Sequence, residues 1–322
     1  MHAASEPVEL VPCAACLSRR IDHPLAVQVL DPSPEQAQRE QRRRELGLLS
    51  EVWDAHVHLF PDAFYAALHR WFDAHAWQIQ FRGGAEAVLD HLVAHGIARL
   101  VALVFAHKPG VARYLNQYLG DLSRAHPQVV AVGTVLPGEP DAAQIVREAV
   151  QSHGLRGIKL HCHVMKTAID SPQALQVLQL CSEFGVPAVV HAGREPSSGA
   201  YGVDTRELCS VARTRSVLQQ LPALRLVVPH IGADEYDGYL ALLDEFEHLH
   251  LDTAMACADY FAVNPNWQQI ERHADRILYG TDFPIIPYDV DRELRVLAHN
   301  IVSDQAFAEI TRHNAQRLWA GG

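Results

Sequence analysis

The sequence predicts a (β/α)8 barrel, and three observations carry that prediction. From Val52 onward, short apolar, β-rich runs alternate with segments of helical period, the pattern of parallel strands joined by crossover helices. Eight such runs can be counted, whereas a doubly wound open sheet more commonly has about five or six strands. No G-x-G-x-x-G follows the first run, and no glycine-rich piece ends in the G-K-[ST] of a phosphate loop. At 322 residues the chain accommodates a barrel of about 250 residues plus additions.

Residues 1–50 differ in character from the rest of the chain. Their charged segment PEQAQREQRRRELG opens on Pro34 and ends on Gly47, which frames it as a helix. Arg42, Arg43 and Arg44 are interleaved with Glu40 and Glu45, so this helix is expected to face solvent or an interface rather than nucleic acid. The region reads as an N-terminal extension (1–50) folded against a barrel domain (51–322). The strands are expected at Val52 to His58, Arg99 to Phe105, Val129 to Leu136, Leu155 to His161, Val186 to His191, Leu224 to Pro229, Leu249 to Thr253 and Ile277 to Gly280. Between them the helix ends are legible: Asp170-Ser171-Pro172 precedes ALQVLQLCSEF and Gly185 follows it, giving a cap, a first-turn proline and a glycine stop. Gly96 and Gly154 are similar stops, and an amphipathic segment from Ser303 to Trp319 completes the eighth helix.

Composition narrows the function classes. Hydrophobic residues at 48% and charged ones at 20% suit a soluble globular protein rather than a disordered chain. No apolar run approaches the roughly 20 residues of a membrane-crossing helix. The N-terminal MHAASEPVELVPCAAC lacks the basic and apolar regions of a secretory signal, so a cytoplasmic location is the default expectation. A net charge of −11 gives no electrostatic support for binding nucleic acid or an anionic membrane. Cys162, Cys181, Cys209 and Cys257 read as reduced core residues. Cys13 and Cys16 form a lone Cys-x-x-Cys with only His2 and His23 nearby to complete a zinc site. A homodimer is the default assembly because two-fold oligomers are the commonest.

The chemistry collects at the strand ends. In VWDAHVHLF, strict alternation puts Asp54, His56 and His58 on one face of the first strand and Trp53, Ala55 and Val57 on the other. In a barrel the active site lies at the C-terminal ends of the strands. Strand four ends in Lys159, His161 and His163, strand five in His191, strand six in His230 and strand eight in Thr281-Asp282. One carboxylate with three imidazoles suits a divalent metal and leaves a position open for water, and His56, His58, His191 and Asp282 can supply that set.

The ordered motifs DAHVHLF, GIKLH, VVHAG, VVPHIG and YGTDFP, spanning residues 52 to about 320, resemble the amidohydrolase superfamily, in particular its family 2 branch typified by aminocarboxymuconate-semialdehyde decarboxylase. The resemblance implies that His56, His58 and His191 bind the metal, that Asp282 binds it and also handles a proton, and that His230 orients or polarises the bound water or substrate. It implies one divalent ion, zinc first, with manganese, iron(II) or cobalt as alternatives and a second metal left open. Lys159 is an inward structural or substrate-side residue, a carboxylated metal bridge, or a salt-bridge partner, for instance of Asp54. Asp54 itself lies deeper and is expected to buttress the site.

His161 shares the parity of Lys159 and can reach substrate, whereas His163 can already lie in the following loop. Lys166 and Arg194 stand in the loops after strands four and five, making the pocket locally cationic and pointing to a carboxylate-bearing small molecule. Arg194 is the stronger of the two, with Glu195 as its neighbour and pairing partner. The loop PSSGAYGVD is a lid or an ordinary surface loop, with Tyr201 placed to contact substrate. The leading expectation is a hydrolase that cleaves a C–N or C–O bond through a metal-activated water. Non-oxidative decarboxylation of an aromatic or unsaturated acid is the alternative, and a catalytically silent binding barrel the third.

Overall fold

The computed structural model describes residues 32–194, 198–260 and 265–319. Cys13, Cys16, His2 and His23 lie outside the described residues. The helix Pro34–Glu45 begins with a reciprocal cap: Ser33 Oγ accepts from the Gln36 N–H (3.3 Å) and Gln36 Oε1 accepts from the Ser33 N–H (2.9 Å). Of its three consecutive arginines, Arg42 and Arg44 remain largely exposed while Arg43 is fully buried. The Arg43 guanidinium donates to the carbonyls of Ala298 (2.7 Å) and Ile301 (2.8 Å) and to Asp304 Oδ1 (3.0 Å), and lies 4.3 Å over the Phe307 ring. It thereby ties the helix to the last turns of the barrel.

Among the described residues, eight parallel strands follow one another in sequence order around the sheet. They are β1 (Val52–His58), β2 (Ile97–Leu103), β3 (Val129–Thr134), β4 (Ile158–His161), β5 (Ala188–His191), β6 (Leu226–Val228), β7 (Leu249–Asp252) and β8 (Ile277–Leu278). The ring closes from β8 to β1 through Ala55 N–H to Tyr279 O, Asp282 N–H to His56 O and His58 N–H to Phe283 O, each 2.8 Å. The predicted barrel is therefore the observed one, with β1 as expected, β2 displaced two residues toward the N-terminus and β3 to β8 shorter than their apolar runs. β2 ends at Leu103, two residues before Phe105, which leaves that ring at the mouth. β8 pairs over only two residues, after which the chain holds to β1 through loop backbone.

The alternation argument fails at β1, for a physical reason. The pairing of β1 with β2 shifts register between Asp54 and Val57, as at a β-bulge. Trp53 and Ala55 pack in one cluster with Val101, Leu103, Val130, Val132, Val189, Val227 and Leu278, whereas Val57 packs in the other, helix-covered cluster. The bulge flips the phase, so His56 and His58 follow the interior face that Trp53 and Ala55 occupy below them. Asp54 is not on their face. Its carboxylate accepts the His56 N–H (3.0 Å), the Thr281 N–H (3.1 Å) and the Thr281 hydroxyl (2.6 Å), pinning the bulge to the chain beyond β8.

The amphipathic C-terminal segment is one helical run, Asp304–Ala308, Glu309–His313 and Asn314–Trp319, with a π-type middle. Its Asn314 side chain donates to the carbonyls of Ala274 and Ile277, both at 2.6 Å, holding the run beneath β8. No helix among the described residues is long and apolar enough to cross a membrane. Because Arg43 satisfies several buried carbonyls at once, Arg43→Ala is expected to destabilise the protein by about 3 kcal/mol. Arg43→Lys should recover less than half, since an ammonium cannot reproduce the fork. Urea unfolding of the three proteins checks this, and a loss under about 1 kcal/mol for Arg43→Ala would show that the helix is not anchored through this residue.

Candidate metal centre

The site lies at the C-terminal mouth of the barrel, and its first part is built by β1 and the chain after β8. His56 Nδ1 lies 2.8 Å from Asp252 Oδ2 at the end of β7, and His58 Nδ1 lies 3.2 Å from the Leu103 carbonyl at the end of β2. Both partners accept hydrogen bonds, so in each ring Nδ1 carries the proton and Nε2 keeps its lone pair. Asp282 Oδ1 stands 3.0 Å from His58 Nε2 and 3.3 Å from His56 Nε2, yet no hydrogen bond of ordinary geometry satisfies it among the described residues. Three lone-pair donors thus face one another within 4.8 Å. This donor set fits a divalent cation: two imidazoles and a carboxylate, each imidazole oriented by an outer acceptor, with space left in the coordination shell.

Local backbone makes the convergence attainable. A Cβ at Gly280 would sit 2.8 Å from the His56 Cβ, so glycine is required where β8 passes β1. Asp282 takes a left-handed φ of 65°, which an aspartate tolerates better than a branched residue. After β6, His230 (φ 60°), Ile231 (φ 50°) and Gly232 (φ 75°) turn in the left-handed region, with the His230 N–H bound to Asp252 Oδ1 at 2.9 Å. Gly232 is again obligatory, because a Cβ there would overlap the Tyr239 ring.

Burial keeps the imidazoles neutral. Desolvation, reinforced by the Lys159 charge, holds His56 well below the ordinary imidazole range, and desolvation with neighbouring histidines does the same for His161 and His191. Burial raises the Asp282 carboxyl, and any positive charge held between His56 and His58 lowers it.

His191 falls in a second group. One ring nitrogen from each of His161, His163 and His191 lies within 4.8 Å of the others. The His161 and His191 rings stack at 4.2 Å. The four expected ligands therefore divide, His56, His58 and Asp282 in one group and His191 in the other. His230 stands between the two, its Nε2 3.2 Å from His191 Nδ1 and its ring 5.3 Å from that of His56. His230 Nδ1 donates to the Ala254 carbonyl (2.7 Å), so a neutral His230 has no N–H left for a developing oxyanion. The donor role expected of it requires a second ring proton; in the neutral ring it acts as the acceptor that orients His191.

The Lys159 ammonium is buried and has no hydrogen-bond partner among the described residues; it does not pair with Asp54, whose oxygens are taken by the β1–β8 seam. Burial lowers it to about 8 against the pull of Asp252 and Asp282. Arg194 is not a free cation: its guanidinium pairs with Asp234 at 2.7 Å and approaches Glu235 at 3.7 Å, while Glu195 lies outside the described residues. Lys166 is exposed, its ammonium against Gly202. Tyr201 sits in the turn Gly199–Tyr201, its ring 5.4 Å from both Trp71 and His163, so this loop does reach the mouth.

Two features are missing from the sequence expectations. Asp252 ends strand seven, and an acidic residue at a strand end is the same signal that marks Asp282. Phe60 and Phe105 form an aromatic wall: Phe60 stacks on His58 at 5.6 Å, and Phe105 meets His58 at 5.5 Å and His161 at 5.0 Å edge to face. If Asp252 sets the His56 tautomer, Asp252→Asn should weaken divalent-metal binding about 10–100-fold without unfolding the chain. Competition against a chromophoric chelator measures this, and unchanged affinity would remove Asp252 from the metal centre.

Comparison with known proteins agrees with this architecture. The amidohydrolase family model matches residues 53–321. No curated protein matches the chain. Among solved structures, an uncharacterized TIM-barrel protein from Bordetella bronchiseptica aligns with a TM-score of 0.62 at 19% identity, covering 83% of this chain and 98% of that one. A 2,6-dihydroxybenzoate decarboxylase from Rhizobium aligns with a TM-score of 0.58 at 16% identity over 84% and 98% of the two chains. A 5-carboxyvanillate decarboxylase from Novosphingobium aromaticivorans, complexed with manganese and 4-hydroxy-3-methoxy-5-nitrobenzoic acid, aligns with a TM-score of 0.62 at 15% identity over 84% and 97%. At these identities the likeness is one of fold. The family model, covering the whole barrel from β1 to the final helix, places the chain in the amidohydrolase family.

Proposed function

We propose that this protein is a divalent-metal-dependent decarboxylase that removes CO2, without net oxidation, from an aromatic or unsaturated carboxylic acid. The observation that carries the reading is the gathering of His56 Nε2, His58 Nε2 and Asp282 Oδ1 at the mouth, with the His58 ring against those of Phe60 and Phe105. The order of the two enzyme readings is thereby reversed relative to the sequence expectation of a hydrolase. The aromatic wall favours a flat substrate, and similar folds carry the names of benzoate-type decarboxylases. Zinc was the expected metal; the mixed nitrogen and oxygen donor set suits zinc or manganese, and manganese is what one similar structure holds.

His56, His58 and Asp282 would hold the ion, which when bound supplies a Lewis-acid point for substrate oxygens. Phe60 and Phe105 flank the ring and exclude water from one side. Lys159, buried without a hydrogen-bond partner among the described residues and within the field of Asp252 and Asp282, favours an anionic substrate. The bond between the ring or vinyl carbon and the carboxylate breaks, its electron pair stays on that carbon, and the carbon takes one proton drawn from solvent water as CO2 leaves. The Asp282 carboxylate is the group positioned to relay that proton. His191 and His161 present neutral imidazoles on the opposite side of the mouth.

The test is to incubate metal-loaded protein with hydroxylated benzoates, unsaturated acids, lactones and amides while recording CO2 and acid release. CO2 release from the acids is expected, with His58→Ala reducing the rate at least about 1,000-fold through loss of several kcal/mol of Lewis-acid stabilisation. Acid release from lactones or amides, with no CO2 from any acid, would return the hydrolase to first place.

A further inference from the structure

We infer that the floor of the barrel, at the end opposite the metal centre, carries a binding site for a small organic carboxylate with a flat apolar body. The inference uses neither the metal centre nor the proposed reaction.

The site is a cavity of about 250 Å³. It opens where the N-terminal ends of the first four strands meet the end of the C-terminal helical run. Trp53 comes from β1, Arg99 from β2, Val130 from β3, Arg156 from the chain entering β4, and Trp319 from the last turn. Ligand pockets for drug-sized molecules start at about 300 Å³, so this one suits a smaller organic molecule.

The walls select the chemistry of the occupant. Trp53, Val130 and Trp319 are buried and offer apolar surface, whereas Arg99 and Arg156 are exposed at the rim. Both charged side chains of the lining are therefore cations. Arg99 has no carboxylate partner among the described residues; its guanidinium lies 4.9 Å over the Trp53 ring and donates to the Pro127 carbonyl at 2.9 Å. The stacking and that one bond fix the plane of the fork and leave its other N–H groups for a ligand.

A second, independent observation points to an acceptor. Trp319 lines the cavity at 3% exposure, and its buried Nε1–H has no hydrogen-bond partner among the described residues. Such orphaned donors are uncommon in folded proteins. Ser123, the remaining hydrogen-bonding side chain of the lining, already gives its proton to the Gly120 carbonyl at 3.1 Å. An indole and guanidinium groups only donate, so their complement is a group that only accepts, as an ionised carboxylate does. A bare inorganic anion would leave the indole and valine walls unfilled, and a neutral apolar molecule would leave the donors unmet. Two indoles in the lining favour a flat body over a branched one. Barrel enzymes confine their chemistry to the opposite face, so a ligand here is held rather than turned over.

Benzoate is the probe, followed by fluorine NMR of metal-loaded protein labelled with 5-fluorotryptophan. The chain has five tryptophans, and Trp319→Phe and Trp71→Phe assign the two resonances that matter. Trp319 reports on the floor, and Trp71, 5.4 Å from Tyr201, reports on the mouth. The Trp319 resonance is expected to move saturably with a midpoint under about 1 mM. In the double variant Arg99→Gln, Arg156→Gln the midpoint should rise at least about tenfold. Both arginines are exposed, so the fold is expected to survive, which circular dichroism checks; should it not, Arg99→Gln alone carries the test with a rise of at least about threefold. A Trp319 resonance unmoved up to about 20 mM benzoate, a shift confined to Trp71, an equal midpoint for inorganic phosphate, or an unchanged midpoint in the folded variant would each overturn the site. A saturable Trp319 response from protein that releases no CO2 would sustain it while defeating the decarboxylase reading.

Discussion

Asp54 stands where β1 bulges and β8 closes the barrel, and its buried carboxylate accepts three hydrogen bonds, from His56 N–H, Thr281 N–H and Thr281 Oγ1. A bulge leaves an amide without a ladder partner, and burying that amide unpaired would cost roughly 1–3 kcal/mol. Asp54 satisfies it and at the same stroke fixes Thr281, the residue before Asp282. Two candidate ligands from β1 and one from beyond β8 are thus held by a single side chain that faces none of the chemistry. Burial pushes the Asp54 carboxyl up to about 7, while its hydrogen bonds to Thr281 and His56 work the other way. The group is therefore near the limit of what its three donors can keep ionised.

The same logic extends around the mouth. Asp252, Leu103 O, Gly193 O and Ala254 O each sit on the outer side of a histidine ring and hold its proton there. What remains inward is lone pair: a buried, electron-rich surface whose natural complement is a cation. For His56 and His191 the ordinary alternative, protonating the ring, is opposed by desolvation and by Lys159. Lys159 in turn is kept near neutral range by burial, opposed by Asp252 and Asp282.

Much of this was legible in the sequence because both signals used are local. Short apolar, β-rich runs alternating with capped helical segments indicate all eight strands of the ring, and His, Lys or Asp at several of their C-terminal ends mark the mouth. The failures are nonlocal. A bulge depends on how β2 and β8 pair with β1, so strict alternation put Asp54 with His56 and His58 although it lies at the seam. Arg194 looked like a free cation because Asp234, 40 residues away, joins it only after folding. Arg43 looked like one of three solvated arginines, since nothing in PEQAQREQRRRELG says that carbonyls near residue 300 will surround it. Tautomers, which decide whether a histidine offers a lone pair, are invisible to spacing altogether.

The mouth is chemically two-sided, and this constrains how any substrate sits. On the β1–β2 side, Phe60 and Phe105 meet His58, and Phe64 extends the wall toward His107 and Tyr114. On the β4–β6 side, the imidazoles of His161, His163, His191 and His230 follow one another, with Tyr201 over His163. A flat, anionic molecule satisfies both sides only if its ring lies along the phenylalanines and its charged end turns toward Lys159 and the His56, His58 and Asp282 group. For the proposed decarboxylation, that orientation would put the bond to the carboxylate, rather than a remote substituent, beside Asp282. On that reading the aromatic wall would do more than favour a ring: it would set which end of the ring meets the chemistry.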